Sequence, residues 1–252
     1  MVIIDQTLLP GTIQIVKLKS IEEMWNAIYL LQVRGAPAIG VAAGFAIYLA
    51  AKQIAAGMLA GLDKPQDAEW PQKPLRELLA GKCAADGFDL NKADTRTYEV
   101  FYQAFTAQKD HINSSRPTAV NLSWALNRMD QLVLSMKEAP VCAILEALLK
   151  EARAIKEEDT AMCKAIGENG LTLVKPGDGI LTHCNAGQLA TSKYGTATAP
   201  IYLGQERGYH FHVFCDETRP LLQGARLTSF ELQSAGVDTT LICDNMSAMV
   251  MK

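Results

Sequence analysis

Three short apolar runs, Gly179-Ile180-Leu181-Thr182-His183-Cys184, His212-Val213-Phe214-Cys215 and Thr239-Thr240-Leu241-Ile242-Cys243, alternate with stretches of helical pattern over residues 195–207 and 226–235. A parallel pair of strands cannot be closed by a tight turn and needs a crossover, usually a helix. Strand–helix–strand–helix–strand at this spacing therefore predicts a Rossmann-like parallel sheet. In such sheets ligands sit beyond the carboxyl ends of the strands, and Cys184, Asp216 and Asp244 fall there. Residues 245–251 begin another helix before the sequence stops at Lys252. A three-stranded half-sheet leaves an edge or face uncovered, so the expected sheet domain, residues 171–252, is incomplete at its C-terminus.

Upstream, helical periodicity dominates. Residues 142–169 carry Ile144, Leu145, Leu148, Leu149, Ala152, Ile155, Met162 and Ile166 at three- and four-residue spacing, with Lys and Glu opposite. This predicts one long helix, stopped by Gly170, that either connects two domains or packs on the surface of one. Residues 1–141 are expected to form a mostly helical domain with a short β segment. Pro10-Gly11 and the alternation Thr12-Ile13-Gln14-Ile15-Val16 give that segment, a hairpin or two short strands. Ser20 with Glu23 is a capping box, starting a helix with Ile21, Met24, Ile28 and Leu31 inward. Arg34-Gly35-Ala36-Pro37 breaks it, and a Gly/Ala-rich helix resumes from Ala38. Residues 58–113 are the least patterned and read as a surface insertion, with short helices near 75–80 and 97–108. Val120, Trp124, Met129 and Leu132 then form the next buried stripe.

Composition narrows the partners. The 252 residues carry a formal net charge of −3, which gives no electrostatic case for nucleic acid or an anionic membrane. The longest apolar stretch, residues 39–51, is shorter than a membrane span, and no basic segment followed by an apolar one opens the chain. The six cysteines show no C-x-x-C pair and no histidine at zinc-finger spacing. They read as reduced thiols in a cytoplasmic protein, five of them small core residues.

Three stretches carry a family resemblance: Arg34-Gly35-Ala36-Pro37-Ala38-Ile39-Gly40; Ser115-Arg116-Pro117-Thr118-Ala119-Val120-Asn121-Leu122; and nearly everything from Gly177 to Lys252, including Thr182-His183-Cys184-Asn185-Ala186-Gly187, Asp216-Glu217-Thr218-Arg219-Pro220 and Cys243-Asp244-Asn245-Met246. The chain resembles the methylthioribose-1-phosphate isomerases of methionine salvage, within a superfamily that includes ribose-1,5-bisphosphate isomerases and regulatory subunits of a translation-initiation exchange factor. The resemblance implies aldose-to-ketose conversion of a small sugar phosphate without metal or nucleotide cofactor, by a cytoplasmic homodimer. It makes Cys184 the catalytic thiol and Arg34, Gly35, Ala36, Arg116 and Gln223 substrate-binding positions. The family's catalytic aspartate, in a Gly-Ala-Asp-Arg segment, and an Asn-Lys pair after it belong to a strand beyond Lys252. The chain is thus expected to be C-terminally truncated and inactive alone.

The residue types suit that chemistry. An aldose–ketose shift needs groups that exchange protons near neutral pH, and a thiol, ordinarily near 8.5, is brought into range by a neighbouring cation or helix N-terminus. Taken alone, a single cysteine is more often a buried structural thiol. Two guanidinium groups with backbone amides at small residues suit a phosphate, although either arginine alone reads as a helix-end cap. His183 is expected to diverge from Cys184, because neighbouring strand residues face opposite sides, and to be structural. Gly195-Thr196-Ala197-Thr198 lacks the G-x-G-x-x-G or Walker pattern of a nucleotide site, so close packing is its expected role.

Overall fold

The Ser20 hydroxyl accepts from the Glu23 amide at 3.1 Å and the Glu23 carboxylate accepts from the Ser20 amide at 3.2 Å. The box thus forms and starts α1 (Ile21–Tyr29), which buries Ile21, Met24, Ala27 and Ile28. Leu31 lies beyond the helix with φ 64°, so it does not extend the stripe. The structure, a computed structural model, describes residues 1–59 and 88–252. Ahead of α1, β1 (Val2–Ile4) and β2 (Ile15–Lys17) pair as a two-stranded sheet. The extended segment is shorter than the alternation suggested.

The chain folds into two compact units: Met1–Val2, Lys17–Leu30 and Ile39–Ile155; and Ile3–Val16, Leu31–Ala38 and Lys156–Lys252. Residues 3–16 and 31–38 thus group with the sheet, although sequence order placed them in the N-terminal domain.

The first unit is helical. Its elements are α1, most of α2 (Ala36–Leu59), α3 (Thr95–Ser114), α4 (Val120–Ser135) and the first half of α5 (Val141–Leu171). Phe101, Phe105, Ile112, Leu126 and Met129 are almost wholly buried, each worth roughly 1.5–3 kcal/mol of transfer free energy. The helix expected at 97–108 is therefore longer and is core rather than surface excursion. The short helix expected near 75–80 lies outside the described residues. On α4 the buried stripe is Leu122, Leu126, Met129 and Val133, while Val120 and Trp124 are exposed. Met129 is buried as expected, but of the two apolar stripes that compete at helical spacing, packing selects Leu122 and Leu126 over Val120 and Trp124. α2 reaches 24 residues, long and apolar enough to cross a membrane, but 61% of its apolar window is buried within the protein, as in a core helix. Its glycines permit close packing: a Cβ at Gly40 would lie 3.0 Å from the Asn121 carbonyl oxygen.

The second unit holds β3 (Gly179–Thr182), β4 (His212–Asp216) and β5 (Asp238–Ile242), parallel in the order β3-β4-β5. Thr182 is in register with Cys215 and Asp216 with Ile242, so the strand ends lie side by side. Crossovers run through α6 (Ala199–Glu206) and through a π-helical turn at Gly224–Thr228 leading into α7 (Ser229–Ser234). Ile201, Leu203, Phe211, Val213, Cys215 and Leu232 form the core. Gly170 does not stop α5, which continues to Leu171. A Cβ at Gly170 would lie 2.4 Å from Pro200 Cγ, and one at Gly167 2.6 Å from Leu203 Cδ1, so these glycines let α5 lie against α6. Met162 and Ile166 face outward, and Cys163 and Gly167 form the buried side of this half. The last element is the short α8 (Ser247–Val250).

Candidate active site

Cys184 follows β3 with φ 62°, the left-handed region that non-glycine residues seldom adopt. Such a residue costs about 1–3 kcal/mol and persists only where its surroundings fix it. Here both its backbone groups are held: the Cys184 amide donates to Thr218 Oγ1 at 2.7 Å, and its carbonyl accepts from the Thr228 hydroxyl at 2.6 Å. Thr218 is itself left-handed, at 59°. Its amide donates to Asp244 Oδ1 at 2.7 Å, and the Arg219 amide donates to Asp244 Oδ2 at 2.9 Å. These two amides hold the Asp244 carboxyl below its ordinary value. The ends of β3, β4 and β5 are thereby laced together, with a half-buried thiol at the first.

A second chain of contacts begins at Arg34. Its Nη1 donates to Asn185 Oδ1 at 2.8 Å. Asn185, 5% exposed, donates through Nδ2 to Glu231 Oε1 at 2.9 Å and to Thr228 Oγ1 at 3.1 Å. The other Glu231 oxygen accepts from the Leu189 amide at 3.0 Å. Burial pushes the Glu231 carboxyl up to about 7, against the lowering effect of the Leu189 amide, Asn185, the Gln188 amide and the Arg34 charge. The carboxylate fits because residue 187 is glycine: a Cβ there would lie 1.3 Å from Glu231 Oε1.

His183, Asp216 and Asp244 gather at the strand ends, with one potential ligand atom from each within 4.8 Å of the others. Their donor types suit a cation, but every carboxylate oxygen already has a protein donor or imidazole partner. Asp216 Oδ2 lies 3.0 Å from His183 Nδ1, Asp216 Oδ1 accepts from the Ser247 hydroxyl at 2.6 Å, and Asp244 takes the two amides named above. The group acts as a clasp on the strand ends. His183, expected to be structural, has a side chain that is 60% exposed and pairs with the buried Asp216.

Residues 84–252 match the model of the initiation factor 2 subunit family. The chain belongs to that family. It is 51% identical over 252 residues to a methylthioribose-1-phosphate isomerase of Symbiobacterium thermophilum, covering all of this chain and 59% of that protein. It is 48% identical over 252 residues to a 5-deoxyribose 1-phosphate isomerase of Petrotoga mobilis, covering all of this chain and 61% of that one. Among solved structures, the 5-methylthioribose 1-phosphate isomerase of Pyrococcus horikoshii superposes with a TM-score of 0.78 at 33% identity, over 99% of this chain and 59% of that chain. The chain thus spans about three fifths of the length of these relatives.

Within this initiation factor 2 subunit fold, Arg34, Gly35, Ala36, Cys184 and Gln223 belong to the sheet unit, whereas Arg116 lies half-buried in the turn between α3 and α4 of the helical unit. Gly35 has φ 90°, and a Cβ there would meet Ala190 Cα at 2.5 Å, so its glycine has a steric reason beside any ligand. Ala36 is the first residue of α2, and Gln223 precedes the π turn. A Cβ on Gly195 would fall 2.5 Å from the Ala186 carbonyl oxygen, which supports the close-packing reading of that loop. Only Cys163 and Cys215 of the other described cysteines are core residues. Burial pushes their thiols up to about 11 and about 12, whereas Cys243 is exposed and Cys142 half-buried. Asn185, Thr218, Thr228 and Glu231 were not singled out from sequence. Asn185 and Gly187 beside Cys184 were the available signal; nothing in the 226–235 pattern marked Glu231 or Thr228.

Proposed function

We propose that this chain carries the catalytic thiol and part of the phosphate site of an aldose–ketose isomerase acting on 5-methylthioribose 1-phosphate. The observation that carries the reading is Cys184. It is a left-handed, doubly anchored cysteine at the carboxyl end of a parallel strand, linked to Arg34 through the side chains of Thr228 and Asn185. Strain fixed this firmly is characteristic of functional positions.

In this reading Arg34, with the amides at Gly35 and Ala36 at the start of α2, binds the anionic end of the sugar, where a guanidinium and helix N-terminal amides suit phosphate. By the resemblance, Arg116 supplies a second cation and Gln223 a hydrogen bond to a sugar hydroxyl. The net reaction breaks the ring bond between C1 and O4, moves a hydrogen from C2 to C1, and transfers the proton of the C2 hydroxyl to O4. Cys184 serves the proton traffic. The reading includes a cytoplasmic homodimer, as the resemblance to the isomerases implies; light scattering on the purified chain tests the second point.

The name of the Petrotoga relative favours 5-deoxyribose 1-phosphate as a second substrate. Both sugars lack a charged group at C5, unlike ribose 1,5-bisphosphate. Calorimetric titration of the chain with all three sugar phosphates, and iodoacetamide labelling of Cys184 in their presence, test the proposal. Binding of the two 5-modified sugars, with Cys184 shielded by them, is expected. Binding of the bisphosphate alone, or Cys184 labelling unchanged by bound sugar, overturns it.

A further inference from the structure

We propose that Asn185 and Glu231 are positioning residues, which hold the Arg34 guanidinium and the Cys184 turn in one hydrogen-bonded frame so that the anion-binding group and the thiol are placed by the same two side chains. The inference rests on the isomerase reading and deepens it.

Asn185 uses every hydrogen-bonding capacity that matters here. Its carbonyl oxygen accepts from Arg34, and its amide nitrogen donates to Glu231 and to Thr228. Rotating that amide by half a turn would set N–H against guanidinium and oxygen against carboxylate, so only one orientation is compatible with both neighbours. Glu231 enforces it from below and is itself fixed by the Leu189 amide. Thr228 passes the constraint on to the Cys184 carbonyl. Arg34 lies on the segment before α2 and Cys184 lies after β3, yet one carboxamide bridges them.

Stability alone does not account for the acid. Glu231 is 8% exposed and sits under a glycine that must lack a side chain to admit it. Replacing a buried charge with a well-packed apolar residue is often neutral or stabilising. The groups facing it are Arg34, which attracts the carboxylate, and Tyr202 of α6 and Cys215 of β4, whose ionisation it opposes. Of these, Arg34 is the charged partner, and the path to it runs through Asn185.

The experiment exchanges amide and carboxylate. Asn185→Asp sets two acids against each other. Adding Glu231→Gln restores a complementary pair, since the new amide can donate to the carboxylate introduced at position 185 and still accept from the Leu189 amide. The 252-residue chain and its N185D, E231Q and doubly substituted forms are titrated calorimetrically with 5-methylthioribose 1-phosphate at pH 8, and each is melted in parallel. Iodoacetamide labelling of Cys184 is followed by peptide mass spectrometry. Expected are a loss of affinity of about tenfold or more and an altered Cys184 labelling rate in N185D, a smaller loss in E231Q, and recovery to within about threefold in the double variant. If N185D does not fold, E231Q and the double variant decide by the same criteria. A purely structural role would move melting temperatures and leave the affinity of the folded protein unchanged; that outcome, or a double variant no better than N185D, overturns the inference alone. A wild-type chain that does not bind the sugar phosphate overturns the isomerase reading, and this inference with it.

Discussion

The wholly buried Thr228 hydroxyl donates to the Cys184 carbonyl at 2.6 Å and accepts from the Asn185 amide at 3.1 Å. It sits in the π turn that precedes α7, and turns of that kind recur at functional sites. One hydroxyl therefore joins the strained backbone of Cys184 to the polar network behind it.

Thr228→Val keeps the shape and removes both bonds, leaving the Cys184 carbonyl without its donor. The cost of an orphaned buried acceptor is about 1–3 kcal/mol. Urea unfolding should show a lowered midpoint with an unchanged slope. A midpoint equal to that of the wild type would show that the left-handed turn does not need this hydroxyl.

Glu231 gives stability a pH dependence of unusual sign for a carboxyl. Burial raises it from 4.5 to about 7 in the folded protein, so the folded state binds the proton more tightly than the unfolded chain. Its contribution is therefore fully present below pH 4.5 and is lost as pH rises through about 7. Across that window the loss is about 3 kcal/mol at about 1.36 kcal/mol per pH unit. Unfolding Glu231→Gln and wild type at pH 4.5 and pH 8 isolates it: the wild type should weaken relative to the variant on going to pH 8. Parallel behaviour of the two proteins would refute the assignment.

The cysteines should separate by reactivity. Cys163 and Cys215, with thiols near 11 and 12 and almost no exposure, should resist iodoacetamide at pH 8 until the chain is unfolded. Cys184 should label in the native state and be protected by the sugar phosphate. Labelling of Cys184 that is indifferent to saturating ligand would count against its place in the site.

Two glycine substitutions test the close packing beneath the strand ends. An alanine Cβ at Gly224 would lie 1.7 Å from the Asp216 carbonyl oxygen, a backbone atom at the end of β4. Gly224→Ala should cost about 2 kcal/mol or more. Gly179→Ala, whose nearest neighbour is Phe214 Cε2 at 3.7 Å, should stay within about 0.5 kcal/mol of wild type. Equal thermal midpoints would mean that the β4 end yields easily.

Local signals carried much of the fold. Ser20 with Glu23 announced α1, and the alternation of apolar runs with helical stretches announced a parallel sheet, because both depend on neighbours a few residues away. Contacts across long separations were not readable. Glu231 lies 46 residues from Asn185, and in its own helix it resembles any surface acid. Gly170 resembled a helix stop because glycine has two uses, and only the nearness of Pro200 distinguishes them. Val120 and Trp124 failed for a third reason: a helix with two apolar stripes does not say which will meet the core.

Gly35, Gly187 and Gly224 each stand where even a methyl group would collide, with Ala190, Glu231 and the backbone of Asp216 respectively. That corner has no room for evolutionary drift. A lineage, or an engineer, seeking a new sugar would have to leave all three untouched and change side chains elsewhere around the site.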